Sequence, residues 1–346
     1  MMIKPKRLTK GDTVAIVSLS SGLGGEPAFL HRYEMGKKRL EDEFGLNVVT
    51  MPNALKGIDY LYSHPEARAA DLMAAFRDDT IKAIICMIGG DDTIRLLPHI
   101  DFGVIRDNPK IFMGYSDTTS NHFMMQKAGL VSIYGPCIMM EFAENVAMHG
   151  YTKHYIQNVL FEPSSELSIE PSPEWTNELL EWADAENNDI ARRMTKDDRG
   201  YELLQGSGVA RGRLLGGCID VFPMIMGTRI WPSLDEWADA MLFLETSEVC
   251  PSPNDVKYIL RGMAAQGVIE RISGVLFAKP YNEKYYEEYK QMLVQVIGKE
   301  CGRGDMPILC NMNFGHSSPI CIVPYGVMAE VDCSNKSFRL LEAAVV

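Results

Sequence analysis

No run of apolar residues approaches the ~18 that a membrane-spanning helix requires, so no such segment is expected. The start of the chain, Met1-Met2-Ile3-Lys4-Pro5-Lys6-Arg7-Leu8, is basic but lacks a following apolar stretch, which is not the pattern of a secretory signal and points to the cytoplasm. Cys-x-x-Cys pairs are missing: the eight cysteines lie mostly in apolar surroundings such as Ile84-Ile85-Cys86-Met87 and read as reduced core residues. The seven histidines have neither i, i+4 spacing nor cysteine neighbours, so no metal is expected. Positive charge is scarce too. With 34 Lys and Arg against 46 Asp and Glu the net charge is -12, which makes nucleic acid and anionic membrane poor partners. What remains, 46% hydrophobic and 23% charged residues, is an ordinary globular composition, and 346 residues suffice for two domains.

The first half alternates β-rich runs with amphipathic stretches: Thr13–Ser18 then Leu30–Phe44, Val48–Met51 then Pro65–Arg77, Ile81–Ile88 then Thr93–Leu97, Ile111–Gly114 then Thr118–Lys127, and Val131–Tyr134. This rhythm predicts an α/β domain over residues 1–162, Rossmann-like and with a mostly parallel sheet. Small and polar residues follow nearly every strand, as where ligands bind in such sheets. Residues 163–208 are rich in Pro, Ser, Glu and Asn and read as an acidic connector, yet they hold Trp175 and Trp182, two of the four tryptophans. Seven residues, about two helical turns, separate the two indoles, which places them on one face of any helix there. Residues 209–346 resume short runs and predict a smaller mixed α+β domain, with Ser233-Leu234-Asp235-Glu236 in the form of a capping box.

The sharpest local signal is Ile111-Phe112-Met113-Gly114-Tyr115-Ser116-Asp117-Thr118, an apolar strand running into a serine and then a helix. Such a turn projects the Ser116 hydroxyl clear of the sheet, and the next amide can donate to an oxyanion. The same serine would serve as an ordinary helix cap. A nucleophilic serine needs a base and a group to orient it. His316, in the polar loop Asn311-Met312-Asn313-Phe314-Gly315-His316-Ser317, is the candidate base, expected to be mobile and to titrate at about pH 6–7.5. His31, His64, His122, His149 and His154 sit in polar helical sequence, and His99 in a turn after Pro98; all are expected at the surface. Glu245 ends the apolar run Met241-Leu242-Phe243-Leu244 and is the candidate orienting acid. A glycosidase pair of Glu245 and Glu248 is disfavoured, because three residues apart on an extended segment they would face opposite sides.

Together Gly89-Gly90-Asp91-Asp92, Met113 to Thr118, Gly212-Arg213-Leu214-Leu215-Gly216-Gly217-Cys218, Leu242 to Glu248 and Asn313 to Ser317 resemble, in order and spacing, the LD-carboxypeptidase and microcin-C-immunity family of serine peptidases. Cys218 departs from the Asn that often follows the Gly-Gly pair. The resemblance implies a Ser116–His316–Glu245 triad, an oxyanion hole from the amides of Gly90 and Asp117, no cofactor, a homodimer, and a swivelling, barrel-like second domain. It further implies a small peptide or peptide-nucleotide substrate, with Asp91, Tyr115, Trp182 and Ser247 as candidate contacts. One branch of the family trims D-residues from cell-wall peptides; the other cleaves peptidyl- or aminoacyl-nucleotide antibiotics. The resemblance is nearer to the nucleotide-cleaving branch, through Leu244-Glu245-Thr246-Ser247-Glu248 and a tryptophan able to stack on a base. A ligand sensor without turnover keeps the same residues. A dinucleotide-dependent dehydrogenase lacks its glycine register in Ser20-Ser21-Gly22-Leu23-Gly24-Gly25.

Overall fold

The computed structural model describes residues 2–346 and divides the chain into two compact units. Unit 1 comprises the chain up to Pro163, then Glu178–Arg193 and Ala344–Val346; unit 2 comprises Ser164–Asn177 and Met194–Ala343. Among the described residues no helix is long and apolar enough to cross a membrane.

In unit 1 five strands lie parallel in the order Ile133–Tyr134, Ile111–Gly114, Ile81–Cys86, Thr13–Val17, Asn47–Thr50. The apolar runs of Thr13–Val17, Ile81–Cys86 and Ile111–Gly114 are buried almost throughout, whereas the edge strand Asn47–Thr50 is partly exposed, and each fully buried Ile, Val or Phe contributes about 1.5–3 kcal/mol. The helix Leu30–Phe44 stops at Gly45, whose φ of 67° lets its amide reach back to Leu40 and Glu41, and Pro65 opens the helix Pro65–Arg77 where its missing amide costs nothing. This strand order reverses direction beside Thr13–Val17 and Ile81–Cys86, so the loops after those strands flank the switch point where open α/β sheets bind ligands.

The helix Thr119–Ala128 corrects one expectation. His122 is wholly buried rather than at the surface, with Nδ1 2.8 Å from Ser132 Oγ and Nε2 2.9 Å from the Gly114 carbonyl. Burial holds its imidazole down at about 3, hence neutral. Thr119, Ser120 and Asn121 are equally buried, so the polar sequence of this turn marks an internal polar layer and not a solvated face.

Unit 2 is built on one mixed sheet of eight strands. Val209–Cys218, Ala240–Glu245, Gly274–Ala278 and Ile308–Met312 run parallel in its centre. Met328–Asp332, Ser337–Leu340 and Leu167–Ile169 extend it antiparallel on one side, and Glu202–Gln205 on the other. The expected capping box of Ser233 with Glu236 forms, and the structure adds another, Ser252 with Asp255, ahead of the helix Pro253–Ala265. The helix Tyr286–Leu293 starts only there because Asn282, Glu283 and Tyr285 take left-handed φ and Asn282 gives its amide to Asn177, and it continues as a π-helix over Val294–Glu300.

The segment expected as a connector is largely structured. Leu167–Ile169 and Glu202–Gln205 are the two outermost strands of the second sheet, while Glu178–Arg193 packs in unit 1. Trp175 lies on a two-residue strand paired with Thr195, and Trp182 belongs to the other unit, so the two indoles do not share a helix face.

Candidate active site

In unit 1 the strand Ile111–Gly114 delivers Ser116 into a left-handed conformation, φ 64°, at the head of a short 3-10 turn that continues into the helix Thr119–Ala128. Such a φ is strained for a serine and persists only where its surroundings enforce it. They do so through three strand-end loops. The Asp117 carboxylate accepts from Ser20 Oγ (2.6 Å) and from the Thr93 amide (2.9 Å), and the Ser116 amide donates to the Tyr134 hydroxyl (3.2 Å). Fully buried Arg68 donates to the carbonyls of Leu19 and Ser20 and grips Asp92 through two nitrogens.

Gly89 and Gly90 are there because nothing larger fits. A Cβ on Gly89 would stand 2.7 Å from Ser116 Cβ, and one on Gly90 would stand 2.3 Å from Ser20 Oγ. Thus Ser116, Asp117 and Gly90, expected as nucleophile and oxyanion donors, gather at the carboxyl end of one sheet, with Asp91 exposed beside them. Tyr115 differs from expectation. Its side chain is packed inside, and its hydroxyl donates to Glu141, so it is not presented to a substrate.

In unit 2 Glu245 ends a strand that is buried at every position, and its Oε2 lies 2.7 Å from His316 Nδ1. Gly315 makes this possible: at φ 82° it runs across the carboxyl group so closely that a Cβ would meet Glu245 Cδ at 2.6 Å. The His316 loop is packed and hydrogen-bonded, which corrects the expectation of an exposed imidazole. Its ring is 10% exposed, and Asn177 ties the loop down, donating to the His316 carbonyl (2.6 Å) while its Oδ1 accepts from Ser317 Oγ and the Asn282 amide.

Glu245 and Glu248 do not face apart. Ser247–Cys250 form a turn, and Glu248 Oε2 comes to 3.2 Å from His316 Nε2, so two carboxylates bracket one imidazole. Burial alone would lower the His316 pKa, but the charge and hydrogen bond of Glu245, with Glu248 and Asp220 behind, raise it to about 9. Asp220 accepts from both the amide and the hydroxyl of Ser247, so this candidate substrate contact is buried and already engaged.

Cys218 sits opposite Glu245 on the neighbouring strand. Its thiol is pushed well above the usual range by burial and by the negative charges of Glu245 and Asp220, hence inert. Donor atoms of Cys218, Glu245 and His316 lie within 4.8 Å of one another, and His316 Nδ1 is already hydrogen-bonded to Glu245.

Asp220 and Asn177 escaped sequence reasoning, and Glu248 was weighed only as a glycosidase partner of Glu245. Asp220 follows a strand end and was findable by the rule that singled out Glu245; Asn177 carries no local signal at all. Trp182, in unit 1, is half-buried under the Arg32 guanidinium, 4.3 Å from the ring centre, and its carbonyl binds His31.

Both halves of the chain match models of one family: the LD-carboxypeptidase N-terminal domain over residues 14–135 and the LD-carboxypeptidase C-terminal domain over 211–331. A probable murein peptide carboxypeptidase of Bacillus subtilis is 30% identical over 99% of this chain and 95% of its own length. The microcin C7 self-immunity protein MccF of Escherichia coli is 26% identical, over 97% and 94%. A solved MccF-like protein from Streptococcus pneumoniae, in complex with AMP, superposes with a TM-score of 0.87 at 36% identity, covering 95% of this chain and 98% of that one. With the domain models matched in order and the likeness extending over nearly every residue, this chain belongs to the LD-carboxypeptidase family of serine peptidases.

Proposed function

We propose that this enzyme hydrolyses the amide of a peptidyl- or aminoacyl-nucleotide of the microcin C type, with Ser116 as nucleophile, His316 as base and Glu245 as the acid that orients it. The observation that carries the chemistry is the Glu245–His316 contact at 2.7 Å: it commits Nδ1 and leaves Nε2 as the atom that exchanges protons. Ser116 Oγ attacks the carbonyl as Nε2 takes its proton. The amides of Gly90 and Asp117 stabilise the oxyanion, the protonated imidazole delivers its proton to the leaving nitrogen, and water then releases the acyl group by the same steps.

The nucleotide preference rests on the AMP held by the Streptococcus pneumoniae relative and on Trp182, an aromatic surface of the kind on which bases stack at about 1–3 kcal/mol each. A second assignment, removal of the terminal D-residue from muropeptides, is favoured by the 30% identity to the Bacillus subtilis protein. The enzyme is proposed to work in the cytoplasm as a homodimer without cofactor, on the strength of the family resemblance. Purified enzyme given an L,D-tetrapeptide and an aminoacyl-sulfamoyl adenosine should cleave the nucleoside substrate with the higher kcat/KM; the opposite order establishes the muropeptide enzyme.

A further inference from the structure

Glu248 has no part in the triad, yet its carboxylate occupies the approach to the one nitrogen of His316 that the chemistry requires, 3.2 Å from Nε2. The titratable groups around this imidazole are Glu245 on Nδ1, Glu248 on Nε2, Asp220 behind and the Cys218 thiol within 4.8 Å, and since burial and negative charge keep that thiol protonated, the charged ones are all acids. An imidazole bracketed in this way is held protonated, and an imidazolium cannot accept the proton of a serine hydroxyl. For turnover Glu248 has to leave.

It is placed to do so. Its side chain is 60% exposed, on a turn whose Cys250 takes φ 52°, and among the described residues no lysine or arginine pairs with it. Moving it away therefore unpacks nothing and strips the carboxylate of its one cationic partner. A cation arriving with the substrate would restore that pairing and free the base in the same exchange.

We propose that Glu248 is a specificity residue, which closes the base in the empty site and yields it to a primary ammonium group carried by the substrate. The α-ammonium of an aminoacyl amide fits this role because a single carbon separates it from the scissile carbonyl, which brings it within a few ångströms of the base whenever that carbonyl is in place. This assignment of the amine rests on the amide-hydrolase function above. Aminoacyl groups with a free α-amine are then preferred over the same compounds N-acylated, peptidyl substrates included among the latter.

The test compares wild type with Glu248→Gln on an aminoacyl-sulfamoyl adenosine and its N-acetyl derivative, alongside an NMR titration of the His316 imidazole. Wild type should favour the free amine by about tenfold, the effect of one partly exposed charge pair, mostly in KM. E248Q should reduce that preference to about twofold or less and lower the imidazole pKa by about one unit. An E248Q variant that keeps the preference, or in which His316 titrates as in wild type, overturns the proposal. Wild type that cleaves neither compound overturns the hydrolase function instead; the titration, with the affinities of the two compounds for wild type and E248Q measured by calorimetry, still decides the role of Glu248.

Discussion

Gly315→Ala tests whether the Glu245–His316 pair depends on the backbone that passes over it. The substitution adds a single carbon, but that carbon falls 2.6 Å from Glu245 Cγ, Cδ and Oε2, where contacts below 3.0 Å force something to move. Glu245 cannot give way freely, since it is 1% exposed and its Oε2 is held by His316. The φ of 82° adds roughly 1–2 kcal/mol of left-handed strain for any L-residue, and relieving the clash costs about 1–3 kcal/mol more. For a unit of this size the melting temperature should fall by about 4–20 °C. Displacing the pair by even ~1 Å should lower kcat/KM by about 10²-fold. Gly302→Ala is the control: its φ of 68° carries the same kind of strain, but nothing lies within 4 Å of a Cβ there. It should lose a few degrees by melting and keep its kcat/KM within about twofold. The reasoning is refuted if both variants melt alike and both retain wild-type turnover.

Ser116→Ala should reduce amide hydrolysis by about 10⁴–10⁶-fold and abolish labelling by a fluorophosphonate, and turnover above a tenth of wild type would remove Ser116 as nucleophile. Because the carboxylates around His316 raise its pKa to about 9 and only its neutral form accepts a proton, kcat/KM should climb with pH up to that value, well beyond the 6.5 of an ordinary histidine; a plateau by pH 7 contradicts the double-carboxylate cage. Glu245→Gln removes the charge that offsets burial, so the same limb should move toward or below about 6.5 while the plateau drops about 10³–10⁴-fold, both read from one pH–rate profile. Trp182→Ala should melt a few degrees lower, through the lost Arg32 contact, and slow a nucleoside substrate more than one without a base; equal losses on both would leave Trp182 an anchor only.

The βαβ rhythm, the serine turn and the Glu245 strand end were legible because each is local: a buried parallel strand is a continuous apolar run, and its polar successor marks the end of the sheet. What was illegible depends on partners distant in the chain. Asn177 fastens the His316 loop from a position 139 residues away. His122 looks solvated until Ser132 and the Gly114 carbonyl are seen to satisfy both ring nitrogens. The opposing directions expected for Glu245 and Glu248 assumed that the strand continued, whereas a turn begins at Ser247 and swings the second carboxylate back. The Pro- and Glu-rich segment appeared structureless because its four strands are only two to four residues long, too short to show an alternation, and two of them lie at the margins of a sheet.

The assignment of Glu178–Arg193 to unit 1 has a bearing on how the polypeptide matures during synthesis. Arg192 grips Glu144 through two nitrogens, and burial of that carboxylate is tolerated because Arg192 and His149 bring it down to about 2. Asn145 likewise donates to the carbonyls of Asn187 and Ile190, and Trp182 covers Arg32. A ribosome that has made only the first 163 residues has therefore produced a parallel sheet whose Glu144 still lacks its arginine. Unit 1 closes once the first strand of unit 2 has already emerged, so the two units mature as interleaved pieces, and a fragment cut at Pro163 carries an acid that its partner was meant to neutralise.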